Sequence, residues 1–566
     1  MSAISNAIRG FLAQETPEAK RNLRIVLCTI VAIATWAGWW TFWFLTDDAH
    51  IEYRYVANLL DGRGLTWNPA PFRPVEGYTS FSWVMLLALV WKVLRVDPPT
   101  AAPVLSLGLG LLQLWVVAGI GREMRLPERF EKARPWLVAA AFVGILTNRT
   151  FFTWLNSGLE TPLFNFTLVL WVAEALRLGR QEPSQRRLWR VTGAAVAMAL
   201  TRPDGLLAIV ATIALAGLMV VRREKSIGSA VKELAPLLVF AGHFAFRLAY
   251  YGAPFPNTYY AKHVAAWPDA GIRYIGSFVL EYGLAVWGAL ALAWLSVAIS
   301  REKGGVLRAF FASGPSSMVV CVLVAHAGYY TLVIGGDHFE YRVLSHLIPL
   351  FFLSAVWLSA QLFQRLRSVA LALAAFVMLS WPIQWTHWVH THNLNTRGET
   401  HRMYVPIADY FPPVIRIPVW WFDNLQSWLI PHHVGMRHQE HKIFYESQLA
   451  WLPTRAQGSV VTWDKRPVTT QGCVGVIGWV YPNVAVIDDA GLNDYVIART
   501  PVKVSNDERL MAHDRHPPPG YMECFRGNFD VGRGFKENER PVPLTDDDIR
   551  ECERKFSANL GNGHAG

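Results

Sequence analysis

Long apolar runs separated by short polar loops dominate the first 385 residues of the chain. Runs of this length and hydropathy predict helices that cross a membrane. About eleven such spans are expected, at 24–45, 101–121, 135–148, 160–178, 188–201, 205–221, 233–250, 276–300, 316–335, 341–361 and 368–385. The pattern therefore predicts a mainly α, polytopic membrane protein.

The first run, Arg24 to Leu45, follows a basic N-terminus and has no Ala-x-Ala site at which a signal peptidase would cleave. Its length of about 22 residues exceeds the core of a signal peptide, so we expect a retained helix. Tryptophans collect at its far end, as they do at membrane interfaces: Trp36, Trp39, Trp40 and Trp43. Residue 46 is therefore expected just outside the membrane.

The apolar segment Phe81–Leu94 is about 14 residues long, which suits either a short span or a surface helix. If it crossed the membrane, the basic loops at 122–134, 180–190, 222–225, 301–303 and 364–367 would all face outward. If it lies outside, all of them face the cytoplasm, as positively charged loops do. We therefore predict a large first extracytoplasmic loop at 46–100 that contains an amphipathic juxtamembrane helix.

The same topology places residues 386–566 outside, beyond a transmembrane domain at 1–385. Hydropathy falls there, Pro and His are frequent, and the stretches Val474–Val480 and Val484–Ile487 are β-prone. These features predict a small mixed α/β domain. Its three cysteines allow one disulfide out of three pairings, of which Cys524 with Cys552 is preferred over the pairings of Cys473.

Composition supports a membrane protein, because 52% of the 566 residues are hydrophobic and only 17% are charged. The net charge of +10 could suggest a nucleic-acid partner. However, the basic residues occur in short clusters between apolar runs, a pattern that sets membrane topology. The sequence also has no nucleotide-binding motif. The spaced glycines Gly108 and Gly110 lie within a predicted span, where we expect them to serve helix packing. Lipid is expected as a partner and nucleic acid is not.

Polar residues collect in the predicted outer loops. Asp47 and Asp48 directly follow the first span, and such a pair is ordinarily a solvated helix cap. Lys262 and Arg342 could extend their charged ends to the membrane interface, or they could bind a phosphate. The simplest interpretation of RPDG at 202–205 is a turn with a salt bridge from Arg202 to Asp204.

A histidine-rich patch lies in the predicted outer domain: His432, His433, His438 and His441. Zinc is conceivable there, but carboxylate or cysteine ligands at the usual spacing are missing, so a solvated loop is the favoured interpretation. No metal and no cofactor are therefore expected.

Several collinear motifs between residue 47 and about residue 350 resemble one family. They are DDAHIEYRYVANLLDGRGLTWNP, VEGYTS, SGLETPL, TRPDGLL, YYGAPFPNTYYAKH and GGDHFEYR. In order and spacing they are similar to the mycobacterial terminal arabinofuranosyltransferases of the AftB family and their bacterial homologues. The resemblance implies a GT-C fold, a decaprenyl-phosphate-linked arabinofuranose donor, an arabinan-like acceptor and an essential first-loop carboxylate, here Asp47 or Asp48.

The resulting hypothesis is a glycosyltransferase of cell-envelope biosynthesis in the bacterial cytoplasmic membrane. It would move a sugar from a polyprenyl-phosphate donor to an extracytoplasmic glycan or glycolipid. Asp47 or Asp48 would act as the base and Lys262 and Arg342 would bind the donor phosphate. The candidate substrate contacts are Arg54, Glu76, Asp204, Asn257, Asp337 and His338.

Two other classes of function remain open. A transporter or flippase of lipid-linked sugars usually has repeated halves and polar groups at mid-membrane, whereas this chain gathers its polar groups at one face. A non-catalytic assembly protein on the same scaffold would be favoured if Asp47 and Asp48 proved dispensable.

Overall fold

Each apolar segment that the sequence predicts as a span contains a helix in the computed structural model. The structure describes residues 17–182, 187–301, 314–502, 504–505, 507–525, 527–535, 544–558 and 560. Up to residue 400 its α-helices are Pro17–Thr41, Asp47–Leu60, Phe81–Leu94, Pro98–Glu123, Arg134–Leu146, Arg149–Thr153, Thr161–Leu178, Leu188–Thr201, Leu206–Val221, Ile227–Glu233, Leu237–Tyr251, Asn257–Lys262, Pro268–Glu281, Leu284–Arg301, Pro315–Tyr329, Leu347–Leu362, Leu366–Leu379, Pro382–Thr391 and Arg397–Thr400. The mainly helical fold class is confirmed.

Within the described ranges, six helices are long and apolar enough to cross a membrane, and two bent pairs raise that number to eight. Large apolar side chains on these helices are exposed, among them Trp115, Val210, Leu238 and Leu371. Exposed apolar surface on long helices is typical of contact with lipid. The chain is therefore a multi-pass membrane protein. The predicted basic loops at 180–190 and 301–303 lie partly outside the described residues.

The predicted continuous span at 276–300 is wrong, because the helix there is broken. Pro268–Glu281 and Leu284–Ser300 meet at an angle of 94°. Gly283 joins them with a φ of +58°, and a Cβ at this position would lie 2.8 Å from the carbonyl oxygen of Leu379. A glycine without a side chain is needed for both the positive φ and the close approach.

The helix Phe81–Leu94 is present, with 14 residues. At 1.5 Å per residue its length is about 21 Å, less than the hydrocarbon thickness of a bilayer. Trp83 and Leu87 pack in the protein interior, whereas Leu89 and Val93 are exposed. This apolar outer side fits a helix at the membrane surface. Its side of the membrane remains a prediction.

The C-terminal region combines helices with two small sheets. Its helices are Pro413–Leu429, His438–Trp451, Arg455–Gly458, Gly475–Val480, Tyr495–Arg499, Tyr521–Phe525 and Asp546–Ala558. Strand Val468–Gln471 pairs in parallel with Ala485–Asp488, and Phe529–Asp530 pairs antiparallel with Gly534–Phe535. The preferred disulfide, Cys524 with Cys552, is present.

Of the two predicted β-prone stretches, only the second is a strand. The first forms the helix Gly475–Val480, hereafter the roof helix. Its first two backbone N–H groups, from Gly475 and Val476, donate to the carboxylate of Asp47 at 3.1 and 2.8 Å. An anion at this position stabilises the N-terminus of a helix. The strand preference of the β-branched residues in this segment is therefore overcome by a contact with a residue that is distant in sequence, Asp47.

Arg54 fastens the first loop to the C-terminal region. Its guanidinium is fully buried beside the ring of Trp67. Nη1 donates to the carbonyl oxygen of Gly478 at 2.9 Å and Nη2 donates to that of Val484 at 2.7 Å. Burial lowers the pKa of Arg54 to about 9, so the group is still charged at neutral pH. These contacts assign Arg54 a structural role and leave it no free donor pair for a substrate.

We expect Arg54→Met to destabilise the protein by at least about 3 kcal/mol, because buried carbonyl oxygens on both sides of this junction would lose their donor. Chemical unfolding in detergent micelles, followed by tryptophan fluorescence, measures the change. Arg63→Met is the matched control. Arg63 donates to Pro482 and Asn483 of the same region but is only partly buried, so its loss should cost about 1 kcal/mol. Equal effects of the two substitutions would contradict this role.

Candidate functional site

The helix Asp47–Leu60, hereafter the first-loop helix, presents the two adjacent aspartates. Thr46 caps it by accepting a hydrogen bond from the N–H of Ala49, and its own N–H donates to the carbonyl oxygen of Ser157. Every residue from Asp47 to Asn58 is buried except Asp48. A helix with this many polar residues is ordinarily solvated on one face, so its burial indicates that protein surrounds its polar side chains.

Asp47 belongs to the junction with the roof helix. Both of its carboxylate oxygens accept backbone N–H groups, and its side chain is only 8% exposed. Burial raises the pKa of Asp47 to about 6; the backbone hydrogen bonds from Val476 and Gly475 oppose this shift and the charge of Asp48 adds to it. Both oxygens of this carboxylate are therefore engaged in a structural contact.

Asp48 has a different environment. It is half-buried, and within the described part of the chain neither carboxylate oxygen accepts a hydrogen bond. Its charge acts on Lys262, whose pKa it raises. Two neighbouring residues therefore differ in availability: Asp47 is bonded and enclosed, while Asp48 is accessible and close to a cation.

Lys262 ends the short helix Asn257–Lys262 and is exposed to solvent. Desolvation by the surrounding protein is nevertheless the largest influence on its pKa and lowers it; the carboxylates Asp48 and Asp337 raise it and the cations Arg342 and Arg202 lower it further. Lys262 is thus exposed to solvent and surrounded by charged groups of both signs. We name the groups that charge interactions and hydrogen bonds link to one another here the central polar cluster: Asp48, Glu52, Glu160, Arg202, Asp204, Lys262, Tyr330, Asp337 and Arg342.

Arg342 is held in place by Asp337. Its Nε and Nη2 donate to the two carboxylate oxygens at 2.8 and 3.1 Å, and its guanidinium carbon lies 4.4 Å from the centre of the Phe339 ring. This forked pair fixes the guanidinium plane and leaves Nη1 unused by the pair. Asp337 thus positions a cation rather than standing free for a sugar.

Arg202 joins several members of the cluster. Its Nη1 donates to Glu160 at 2.5 Å, and its Nε donates to Asp204 at 3.0 Å. Its Nη2 donates to the hydroxyl of Tyr330 at 2.8 Å, and that hydroxyl donates to Asp204 at 2.8 Å. The salt bridge expected between Arg202 and Asp204 is present.

Glu52 is a member that the sequence interpretation missed. One carboxyl oxygen accepts a hydrogen bond from Ser80, and the other is buried without a partner among the described residues. Burial, followed by the charge of Glu160, raises the pKa of Glu52 well above its ordinary range. Its spacing of four from Asp48, which puts both on one face of a helix, was the signal that could have identified it.

Two further candidates are engaged elsewhere. Glu76 forms a salt bridge with Arg247, at 2.6 and 3.0 Å. The Asn257 amide donates to the carbonyl oxygen of Gly491 at 2.9 Å and its oxygen accepts from Arg499 at 2.7 Å. Glu76 and Asn257 therefore stabilise loops, and these contacts do not place them among the free groups of the central polar cluster.

The prediction of a solvated histidine loop is wrong. His433, His438 and His441 are all buried. The helix His438–Trp451 encloses this region. The centre of its His441 ring lies 4.3 Å from the centre of the Phe339 ring. His338 joins it, with its Nδ1 at 3.1 Å from the carbonyl oxygen of His433. Burial was invisible in the sequence because the covering residues are distant along the chain.

The fold is that of GT-C proteins. The chain superposes with a TM-score of 0.53 on ArnT from Cupriavidus metallidurans, a structure solved with undecaprenyl phosphate bound, covering 83% of this chain and 87% of ArnT at 12% identity. At this identity the likeness shows the fold alone. The GT-C fold expected from the motifs is confirmed.

Sequence similarity points to particular relatives. The chain is 29% identical over 363 residues to the terminal β-(1→2)-arabinofuranosyltransferase of Mycobacterium tuberculosis, covering 58% of this chain and 54% of that protein. It is 29% identical over 348 residues to the enzyme of the same name from Corynebacterium glutamicum, covering 56% and 48%. The chain thus spans about half the length of these relatives. No family model matches the sequence. The resemblance read from the motifs is confirmed.

We expect Glu52→Gln to remove a pH dependence of stability, because an amide does not titrate whereas burial raises the pKa of the Glu52 carboxyl. As pH rises above the ordinary carboxyl pKa of 4.5, the unfolded chain releases a proton that the folded chain retains. Wild type should therefore lose stability relative to Glu52→Gln with increasing pH. Unfolding midpoints measured from pH 4.5 to 8 test this; parallel curves would contradict it.

Proposed function

We propose that the chain is a glycosyltransferase that moves a sugar from a polyprenyl-phosphate donor to an acceptor hydroxyl at the central polar cluster. One observation carries this proposal: Asp48, whose carboxylate accepts no hydrogen bond from a described residue, interacts by charge with Lys262, and Lys262 also interacts by charge with Arg342. A base and a phosphate site are the two parts that such a transfer requires. The ArnT fold and the names of the relatives support this class of reaction.

In the proposed reaction Asp48 takes the proton of the acceptor hydroxyl as that oxygen bonds to the anomeric carbon of the sugar. The bond from the anomeric carbon to the phosphate oxygen breaks, and its electron pair leaves with polyprenyl phosphate. Lys262 and Nη1 of Arg342 stabilise the negative charge that accumulates on the phosphate. The leaving group needs no proton, so the cluster needs a base and cations but no general acid.

The choice of Asp48 over Asp47 follows from their hydrogen bonds. A base must offer a lone pair to the substrate, and both Asp47 oxygens already accept N–H groups of the roof helix. Its raised pKa reflects the cost of burial, and protonating Asp47 would weaken that junction. The Asp48 carboxylate accepts no hydrogen bond from a described residue.

The finer assignments rest on the resemblance. We infer that the donor sugar is arabinofuranose and that the acceptor is an extracytoplasmic glycan or glycolipid, as the names of the relatives suggest. The topology inferred from the basic loops places residues 46–100 and 386–566 on the outer side of the bacterial cytoplasmic membrane, with the transmembrane domain at 1–385. The roof helix then covers the site from that side.

We expect Asp48→Asn to reduce transfer by roughly 100- to 10,000-fold, because the amide keeps the shape of the side chain but has no useful basicity. Asp47→Asn is the matched control. It should lower stability by about 1–3 kcal/mol through one lost charge-assisted hydrogen bond, yet retain transfer within about tenfold. Purified protein in nanodiscs, given synthetic polyprenyl-phosphate arabinofuranose and an oligoarabinoside, provides the assay.

If Asp48→Asn transferred sugar at near wild-type rates, Asp48 would not be the base. If wild type itself showed no transfer while both variants remained folded, an assembly protein on a GT-C scaffold would become the better interpretation.

We expect Lys262→Met and Arg342→Met each to lower kcat/KM for the donor by about 100-fold, because each removes a positive charge opposite the leaving phosphate. Lys92→Met is the control: Lys92 is exposed near the end of Phe81–Leu94, and its loss should change kcat/KM by no more than about twofold. Initial rates at varied donor concentration measure all three. A loss confined to the acceptor KM would reassign the two cations to the acceptor.

A further inference from the structure

Three histidines from separate segments converge beside the loop that carries Arg342. The available ring nitrogens of His338, His433 and His513 all lie within 4.8 Å of one another. Their ring centres are 5.1 to 5.9 Å apart. Three ligand atoms at such distances can bind one ion with small side-chain adjustments.

Two of the three rings are already oriented as metal ligands usually are. The Nδ1 of His338 is hydrogen-bonded to the carbonyl oxygen of His433 at 3.1 Å, and the Nδ1 of His513 to that of Met511 at 2.8 Å. With Nδ1–H donating to a carbonyl, Nε2 keeps its lone pair and is fixed in direction. Metal-bound histidines typically donate their second nitrogen to a backbone carbonyl or carboxylate in this way.

The third ring, that of His433, has no hydrogen-bond partner in the described part of the chain. His433 is only 8% exposed, and neither of its ring nitrogens has a hydrogen-bond partner. Its backbone also has a φ of +58°, a conformation that is uncommon for residues other than glycine. Buried polar groups normally have partners, so an unpartnered imidazole beside two others is typical of a ligand-binding site.

We propose that His338, His433 and His513 bind a divalent transition-metal ion, with zinc favoured. Imidazole nitrogen suits zinc and its first-row neighbours, whereas calcium and magnesium require oxygen ligands. Three protein ligands leave a fourth position for water. The proposal replaces the expectation that no metal binds.

The ion would connect three segments that already touch through their backbones. Met436 N–H donates to the carbonyl oxygen of His338 at 2.9 Å, and Met511 N–H donates to that of His432 at 2.9 Å. The first segment also contains Asp337 and Arg342. The metal therefore fixes the Arg342 loop against the C-terminal region, a structural role that is independent of the proposed transfer reaction.

Metal content tests the proposal without reference to activity. The full-length protein, stripped with a chelator, incubated with zinc sulfate and desalted, should retain about one zinc per chain by elemental mass spectrometry. His433→Asn and His513→Asn should each weaken zinc binding by at least about 100-fold. His432→Asn is the control, because His432 stacks on Trp428 and its Nδ1 contacts a carbonyl oxygen there; it should bind zinc like wild type.

Cobalt gives a second measurement that needs no variant. Stripped wild type should develop the visible absorption bands of tetrahedral Co²⁺, and zinc should raise its unfolding temperature. Zinc retention below about one tenth per chain together with absent cobalt bands would overturn the proposal. So would zinc binding by His433→Asn and His513→Asn at the wild-type level.

Discussion

The burial of a polar helix is the constraint on which the rest of this structure depends. The first-loop helix has ionisable side chains on several faces, and each must find a partner when water is removed. Asp47 and Arg54 find theirs more than 400 residues away, in backbone groups of the C-terminal region. Without that region, Asp47 would lose the two backbone donors of the roof helix and Arg54 would lose its acceptors at Gly478 and Val484. The two parts of the chain therefore have to fold against each other.

This arrangement explains how two adjacent aspartates acquire different chemistry. Successive residues of a helix point about 100° apart, so one can face a packed neighbour while the next stays partly accessible to solvent. Asp47 is committed to the roof helix, and Asp48 is left with an electrostatic partner, Lys262. Adjacent identical residues thus need not share a role.

The sequence predicted the helices well because their signal is local. Apolar length identified where the helices lie, but only six to eight described helices, against about eleven expected spans, are long and apolar enough to cross a membrane. The motif resemblance identified the GT-C fold. The break at Gly283 was not predicted because both flanking halves are apolar and the bend is associated with a contact between distant residues, Gly283 and Leu379. The roof helix escaped because its stabilising anion, Asp47, is distant along the chain. The site was predicted only in part for the same reason: the sequence suggested Lys262 and Arg342, but only the fold brings Glu52 and Glu160 to them.

The short helix Asn257–Lys262 links the cation Lys262 to the C-terminal region. At one end the amide of Asn257 bonds to three carbonyl oxygens, those of Gly491, Leu492 and Asp494. Lys262 stands at the other end of the helix, whose six residues span about 9 Å. The packing of the 491–494 segment therefore sets where this helix begins, and the helix in turn sets where Lys262 stands. Two regions that are far apart in sequence thus share control over the position of a single cation.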